Sequence, residues 1–238
     1  MVEVLMHQQI KRSSNTIVVA ILGLLILLPA LSHPQGEQPQ QQKEEQIAPR
    51  QKVAILPFLL VKPQAPGERV VKGLSGDFFF RTGELPARAG SEVTAIFQRQ
   101  LDLLGRCELI PLDQAQAAAE GVDPAAFQQD PLRVAAQIGR GLGLKAVVIG
   151  AVYRFEQRQG SALGVQSPAS AAFDAHLIRV ADKKVLWSGR FDQTQHSLSE
   201  NALKIGSFLK GGAQWVTVER WVELGAESIL RTFPTLPR

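Results

Sequence analysis

The stretch FDAHLIRVADKKVLWSGRF, from Phe173 to Phe191, decides the fold. Two apolar-rich runs flank Ala181-Asp182-Lys183, the pattern of a β-hairpin. With the turn centred on Asp182 as a three-residue loop, Phe173 faces Phe191, Ala175 faces Gly189 and Leu177 faces Trp187. That side is wholly apolar. The other side sets Asp174 against Arg190, His176 against Ser188 and Ile178 against Leu186. A slip of one residue would put Phe173 against Asp192 and Leu177 against Ser188, mixing the faces. Because a one-residue slip exchanges core for solvent, the segregated register is the expected one.

Asp174, His176 and Ser188 therefore share a face, which raises the question of a catalytic set. A hydrolase needs a hydroxyl on a sharp turn, a histidine oriented by a buried carboxylate, and oxyanion donors nearby. Ser188 instead sits in mid-strand, where neighbouring amides belong to the ladder. Asp174 has Arg190 directly opposite, a cross-strand charge pair worth roughly 0.2–1 kcal/mol. The expectation is a solvated polar face with no catalytic residue. The remaining histidines, His7, His33 and His196, form no metal-ligand spacing with Asp, Glu or Cys, so no metal and no cofactor is expected.

Upstream, LKAVVIGAVYRFEQR (Leu144–Arg158) is continuously apolar in its first half, as a strand covered on both faces is. Its second half alternates Tyr153, Arg154, Phe155 and Glu156, so this end is expected to emerge toward solvent. QGSALGVQSPAS after it reads as a loop. KVAILPFLLV (Lys52–Val61) is a buried strand that Pro57 ends or confines to an edge. Ser91 caps a helix carrying Val93, Ile96, Phe97, Leu101 and Leu104 on one face, and Gly105 ends it. CELIPL is a second strand, followed by helices over DQAQAAAEG and DPAAFQQDPLRVAAQIGRGLG, with Pro131 in a first turn. Gly139, Gly141 and Gly143 close a helix and open a strand, the reverse of a phosphate-binding loop, so they are a C-cap and turn. TVERWVELGAESILRTF (Thr217–Phe233) is an amphipathic helix with Val218, Trp221, Val222, Gly225 and Ile229 together. The order is strand, helix, strand, helix, three strands, helix. It predicts one three-layer α/β domain over 52–238, its mixed sheet parallel at the front and closed by an antiparallel rear hairpin.

From Lys62 to Gly90, Gly, Pro and charged residues dominate. Inside that long connection DFFFRTG reads either as a short strand or lid on the core, or as a partner-contact loop of Phe78, Phe79, Phe80 and Arg81.

The first 32 residues read as a signal peptide or signal anchor. Lys11 and Arg12 precede an apolar run from Thr16 to Leu31, which is shorter than the roughly 20 residues of a comfortable span, and Pro29 stands before Ala30-Leu31-Ser32. Both versions export the chain to the periplasm or the periplasmic side of the inner membrane, and only the uncleaved version touches the membrane. Residues 33–51, HPQGEQPQQQKEEQIAPRQ, contain one large aliphatic residue, Ile47, and read as a disordered linker. A net charge of +4, scattered along the chain, with 6% aromatic residues, excludes a nucleic-acid surface. The single cysteine, Cys107, excludes an internal disulfide and sits in an apolar run as a buried thiol.

VAILPF, GLGLKAVVIGAVYRF and AAFDAHLIRVADKKVLWSGRF together resemble one group of exported bacterial α/β domains. The group comprises CsgG-like curli-secretion proteins, LpoB-like lipoprotein activators of penicillin-binding proteins, and the N-terminal domain of TolB, the Tol-Pal propeller protein. The likeness covers Lys52 to Phe233 in element order, and its most specific piece is Leu186-Trp187-Ser188-Gly189. The stretch near Gln157–Ala169 is too short for the membrane hairpins of a curli-type channel, and no lipidated cysteine follows the apolar run. What the resemblance implies is a tethered, non-enzymatic envelope domain with an envelope protein as partner, or an oligomerising component of an assembly or secretion apparatus.

Overall fold

The structure is a computed structural model that describes residues 50–160, 165–196 and 215–236. The export segment and nearly all of the linker expected over 1–51 lie outside the described residues. The chain from Lys52 runs straight into β1 (Lys52–Ile55), breaks at Pro57, and resumes as β2 (Leu59–Leu60) along the same neighbour. Proline cannot donate to the ladder, so one apolar run yields two short strands. The Phe58 amide freed by the break donates to Thr94 Oγ1 at 2.9 Å. In the Gly- and Pro-rich connection the chain forms β3 (Val70–Lys72) and β4 (Phe79–Arg81), an antiparallel ribbon. The strand-or-lid reading of DFFFRTG thus describes its backbone.

Next come α1 (Ala89–Leu104), β5 (Glu108–Leu109), α2 (Leu112–Glu120), α3 (Pro124–Gln129) and α4 (Pro131–Gly141). The first helix begins two residues before the expected Ser91 cap, whose hydroxyl bonds the Arg88 carbonyl within the first turn. It ends at Gly105 with φ +58°, where a side chain would be strained. Asp130 caps α4 by accepting from the Arg133 amide. The central strand β6 spans Ala146–Glu156. The expected loop after it contains a small hairpin, β7 (Gln159–Gly160) and β8 (Val165–Ser167), far short of a channel's membrane hairpin. Then β9 (Ser170–Arg179) and β10 (Val185–Thr194) form the rear hairpin, and α5 (Val218–Leu230) follows, capped by Thr217.

The six-stranded sheet has the order β10-β9-β6-β1-β5, with β2 also on β6. The front pairs β1–β5, β1–β6 and β2–β6 are parallel, and β6–β9 and β9–β10 are antiparallel, as expected. The β9–β10 register is the segregated one: Phe173↔Phe191, Ala175↔Gly189, Leu177↔Trp187, His176↔Ser188. It departs at the turn, where Ile178 pairs with Val185 rather than Leu186 and a bulge leaves Leu186 exposed. The turn itself is longer than the expected three residues. The Arg179 amide bonds the Lys184 carbonyl, and Lys183 takes the left-handed conformation at φ +62°.

Side chains alternate across β6. Ala146, Val148 and Val152 join Phe173, Ala175 and Leu177 against α1 and α5. Val147 and Ile149 join Ile178 against α2 and α4. A second bulge between Val152 and Arg154 turns both Tyr153 and Arg154 to that second face, where the β3–β4 ribbon continues the cover beyond the helices. The expected emergence of this strand into solvent is therefore corrected. Tyr153 is 1% exposed and Arg154 6%, because the ribbon lies over them.

One close approach sets the sheet's spacing. A Cβ on Gly150 would stand 2.3 Å from the Phe58 ring and 2.7 Å from the Asp174 carbonyl oxygen, which the ladder holds in place. Gly150→Ala is expected to cost about 1–3 kcal/mol. Gly141→Ala, at the end of α4 with nothing within 4 Å of the new methyl, is expected to stabilise by about 0.5–1 kcal/mol. Urea unfolding of the two variants checks the opposite signs.

Candidate functional site

The polar side of the rear hairpin is where chemistry would lie, and the ribbon roofs it. Asp174 and His176 are both 0% exposed. His176 Nδ1 lies 2.8 Å from Ser188 Oγ. His176 Nε2 lies 3.1 Å from Asp174 Oδ2 but out of line for a hydrogen bond. Tyr153 Oη donates to Asp174 Oδ2 at 2.9 Å. The Leu74 amide donates to Tyr153 Oη at 3.1 Å and to Asp174 Oδ2 at 3.3 Å. The polar contacts run from the ribbon's turn through β6 and β9 to β10.

The expected solvated face is thus a buried one, and the expected Asp174–Arg190 pair is not made although the two residues are register partners. The roof separates them. Arg190 donates to the Phe79 carbonyl at 2.9 Å and to Asp192 Oδ2 at 3.3 Å, and lies 5.0 Å from the Phe80 ring centre. Gly73 makes the roof possible: a Cβ there would stand 2.8 Å from both Asp174 Oδ2 and the Phe80 ring.

Ser188, His176 and Asp174 follow the contact order of a hydrolytic triad, but the surroundings lack the rest of one. The flanking residues Trp187 and Gly189 are paired with Leu177 and Ala175 in the ladder. The Leu74 amide is spent on Asp174 and Tyr153. Among the described residues, His176 is the only group bonded to Ser188 Oγ, and no paired amides of an oxyanion site accompany it. Burial raises the Tyr153 pKa well above the usual phenol value, and the charge of Asp174 raises it further. The phenol therefore remains a neutral donor. Among the described residues no group of three or more His, Cys, Asp or Glu side chains is placed to hold a metal ion. Cys107 is buried, and desolvation pushes its pKa up to about 11, leaving an inert thiol.

The ribbon's period of two divides the expected contact quartet. Phe80 is fully buried and stacks on Tyr153 at 4.0 Å and 4°. Phe78 is half-buried against its edge. Phe79 is 60% exposed and Arg81 is exposed beside it. Val70 and Lys72, which pair with Arg81 and Phe79, complete the outward face. Sequence reasoning passed over these two; the β-branched pair Val70-Val71 was the one signal of a strand there. Two arginines hold the ribbon down. Arg154 Nη1 donates to the Arg81 carbonyl at 2.7 Å while its Nη2 bonds Asp192 at 2.8 Å, and Arg190 bonds the Phe79 carbonyl. Both carbonyls lie on the edge of β4 that faces away from β3.

Beside the ribbon's other edge lies a cleft of about 1050 Å³. One wall is Leu59–Gln64, another Lys72–Gly76, and residues of α2, α3 and the Val122 turn close it. Among the described residues, no helix is long and apolar enough to cross a membrane.

No family model matches the chain, and no curated protein does. Solved structures do resemble it. The PelC dodecamer subunit from Paraburkholderia phytofirmans is 16% identical with a TM-score of 0.44, covering 81% of this chain and 91% of that one. Lipoprotein GNA1162 from Neisseria meningitidis is 15% identical with a TM-score of 0.42, covering 61% and 83%. The LpoB C-terminal domain from Salmonella enterica is 18% identical with a TM-score of 0.37, covering 63% and 87%. The LpoB-like group that the sequence resembles is thus among these neighbours. Likenesses of this size leave function to the chain's own residues.

Two outcomes are expected of the buried set. Asp174→Ala strips the Tyr153 hydroxyl of its acceptor, leaves the Leu74 amide only the phenol oxygen, and should cost about 1–3 kcal/mol, with faster hydrogen exchange at Leu74. Tyr153 is the chain's single tyrosine, so the rise in absorbance at 295 nm on phenol ionisation, over the background of the three tryptophans, reports it alone. Its raised folded pKa contributes stability that is fully present below the unfolded value of about 10 and is lost as pH climbs beyond it. Tyrosinate absorbance should therefore be absent from the folded protein at pH values where a free phenol ionises, and appear together with unfolding.

Proposed function

We propose that the protein is an exported, non-enzymatic module of the cell envelope that binds or regulates envelope machinery by contact through the outward face of the β3–β4 ribbon. One observation carries the reading: the imidazole of His176 and the carboxylate of Asp174 are fully buried beneath the ribbon, with Ser188 half-buried beside them, while the ribbon turns Phe79 and Arg81 outward. An aromatic and an arginine on a rigid backbone are the residue types that anchor protein interfaces. Export rests on Lys11 and Arg12 followed by the apolar run from Thr16 to Leu31, and the Gln/Pro-rich residues 33–51 serve as the tether. The domain over 52–238 is then the working part, and its chemistry is recognition.

A photoreactive residue placed at Phe79 in intact cells tests this. The expected result is one discrete adduct to an envelope protein, shared with a probe at Val70, absent with a probe at Glu227 on α5, and lost when Arg81→Ala is added. Phe79→Ala should leave the folding midpoint unchanged, since the side chain packs on nothing buried. Adducts equal at positions 79 and 227 would sink the reading.

A second reading, an oligomerising component of an envelope assembly or secretion apparatus, is favoured by β10, whose outer edge pairs with no strand among the described residues. Sedimentation of the protein separates the two, because a monomer at high concentration removes the second.

A further inference from the structure

The β3–β4 ribbon has two edges, and they differ. The Gly73 amide bonds the Phe78 carbonyl and the Thr82 amide bonds the Arg69 carbonyl, with Val71 facing Phe80 between them. By the alternation of an antiparallel pair, residues 69, 71 and 73 spend their backbone groups on β4, and Val70 and Lys72 point theirs away from it. On the β4 side the outward carbonyls of Phe79 and Arg81 accept from Arg190 and Arg154. On the β3 side no strand pairs among the described residues. Arg190 lies on β10, so β4 leans toward that end of the sheet and the unpaired edge of β3 faces the opposite way, toward β2 and the cleft.

The cleft's far wall is β2 and its continuation to Gln64, and β2 pairs only with β6. Leu59, Leu74, Val122 and Phe127 supply the apolar part of its lining. Each of the two strand walls contributes one ammonium, Lys62 and Lys72. Neither makes an ion pair among the described residues. The ammonium of Lys72 folds back over the Gly76 turn, where φ is +81° and a Cβ would stand 3.3 Å from Nζ. The single carboxylate of the lining, Glu120, accepts from Gln116. An unpaired strand edge asks for an extended backbone, an apolar floor for alternate apolar side chains, and two unpaired cations for carboxylates.

We propose that this cleft is a binding site for an extended acidic peptide segment of a partner protein, added as a strand along the free edge of β3, with its carboxylates on Lys62 and Lys72. The proposal deepens the contact reading by giving the partner a chemistry, and it rests on that reading for its biological use. It is carried by the open edge of β3 and the cleft beside it, which share Lys72 with the Phe79–Arg81 face.

The test uses the full-length chain and a fluorescein-labelled hexapeptide of alternating Glu and Val, capped at both ends. The controls are the Lys-Val and Glu-Pro counterparts. At low salt the Glu-Val peptide should raise the anisotropy, and the Lys-Val and Glu-Pro peptides should not. Lys62→Glu with Lys72→Glu should weaken binding by about tenfold or more, as reversing two paired charges does. Carbodiimide coupling should join the peptide's carboxylates to Lys62 and Lys72 in preference to Lys183 and Lys184 of the hairpin turn. Phe79→Ala should leave peptide binding unchanged, so that failure of the contact face and failure of the cleft are told apart. The proposal is overturned by no binding up to about 1 mM, where the free energy of association has fallen to a weak-complex value. Equal binding of Glu-Val and Lys-Val overturns it too, as does insensitivity to the double charge reversal. Equal binding of Glu-Pro removes the strand and with it the proposal.

Discussion

A carboxylate without water is the constraint on which this structure turns. Asp174 is fully buried on the second face of the sheet, between the helical cover of α2 and α4 and the ribbon. A buried carboxylate is tolerable only where donors converge on it. Here the Tyr153 hydroxyl and the Leu74 amide donate to Oδ2, the neighbouring imidazole stands beside it out of line, and Oδ1 is buried without a partner. Two of those three groups come from the sheet, and the third comes from the turn of the ribbon. The short β3–β4 pair would be marginal as an isolated hairpin. Its position over the sheet is fixed by that amide, by Phe80 stacked on Tyr153, and by two arginines on its outer edge.

The same constraint explains what could and could not be read from the residues alone. The β9–β10 register followed from face segregation, because Phe173, Ala175 and Leu177 had one arrangement that kept them opposite apolar partners. The parallel front followed from strand and helix alternation, and the helix ends from Gly105 and Pro131. Two bulges did not follow. A bulge adds one residue to one strand and is decided by what lies across the sheet, and nothing in Tyr153-Arg154 announces a ribbon overhead.

The ribbon was illegible for a related reason. Its strands are three residues long, and its anchors arrive from far along the chain: Arg154 is 73 residues from Arg81 and Arg190 is 111 from Phe79. Local propensity carries no trace of such contacts. Polar residues on a strand face normally mean water, so Asp174, His176 and Ser188 read as a wet surface, and membership of the set was right while its burial was missed. The quartet Phe78, Phe79, Phe80 and Arg81 fared in the mirror-image way. The stretch forms a strand over Phe79–Arg81, and a strand can present only alternate side chains. Phe80 went into the core and Val70 and Lys72 came from the neighbouring strand to replace it.

Burying the polar set has a consequence for how the surface above it works. A ribbon lying on an apolar patch could slide, since dispersion contacts carry little direction. A ribbon whose turn donates to one carboxylate oxygen at 3.3 Å, and whose edge accepts from two positioned guanidinium groups, has one placement. Gly73 belongs to this argument, because its missing side chain lets the turn come close enough to donate. The outward residues Phe79 and Arg81, and the open edge of β3, inherit that rigidity. A preorganised surface loses less freedom on binding than a mobile loop does. The carboxylate that looks like chemistry thus fixes the backbone above it, acting through the Leu74 amide.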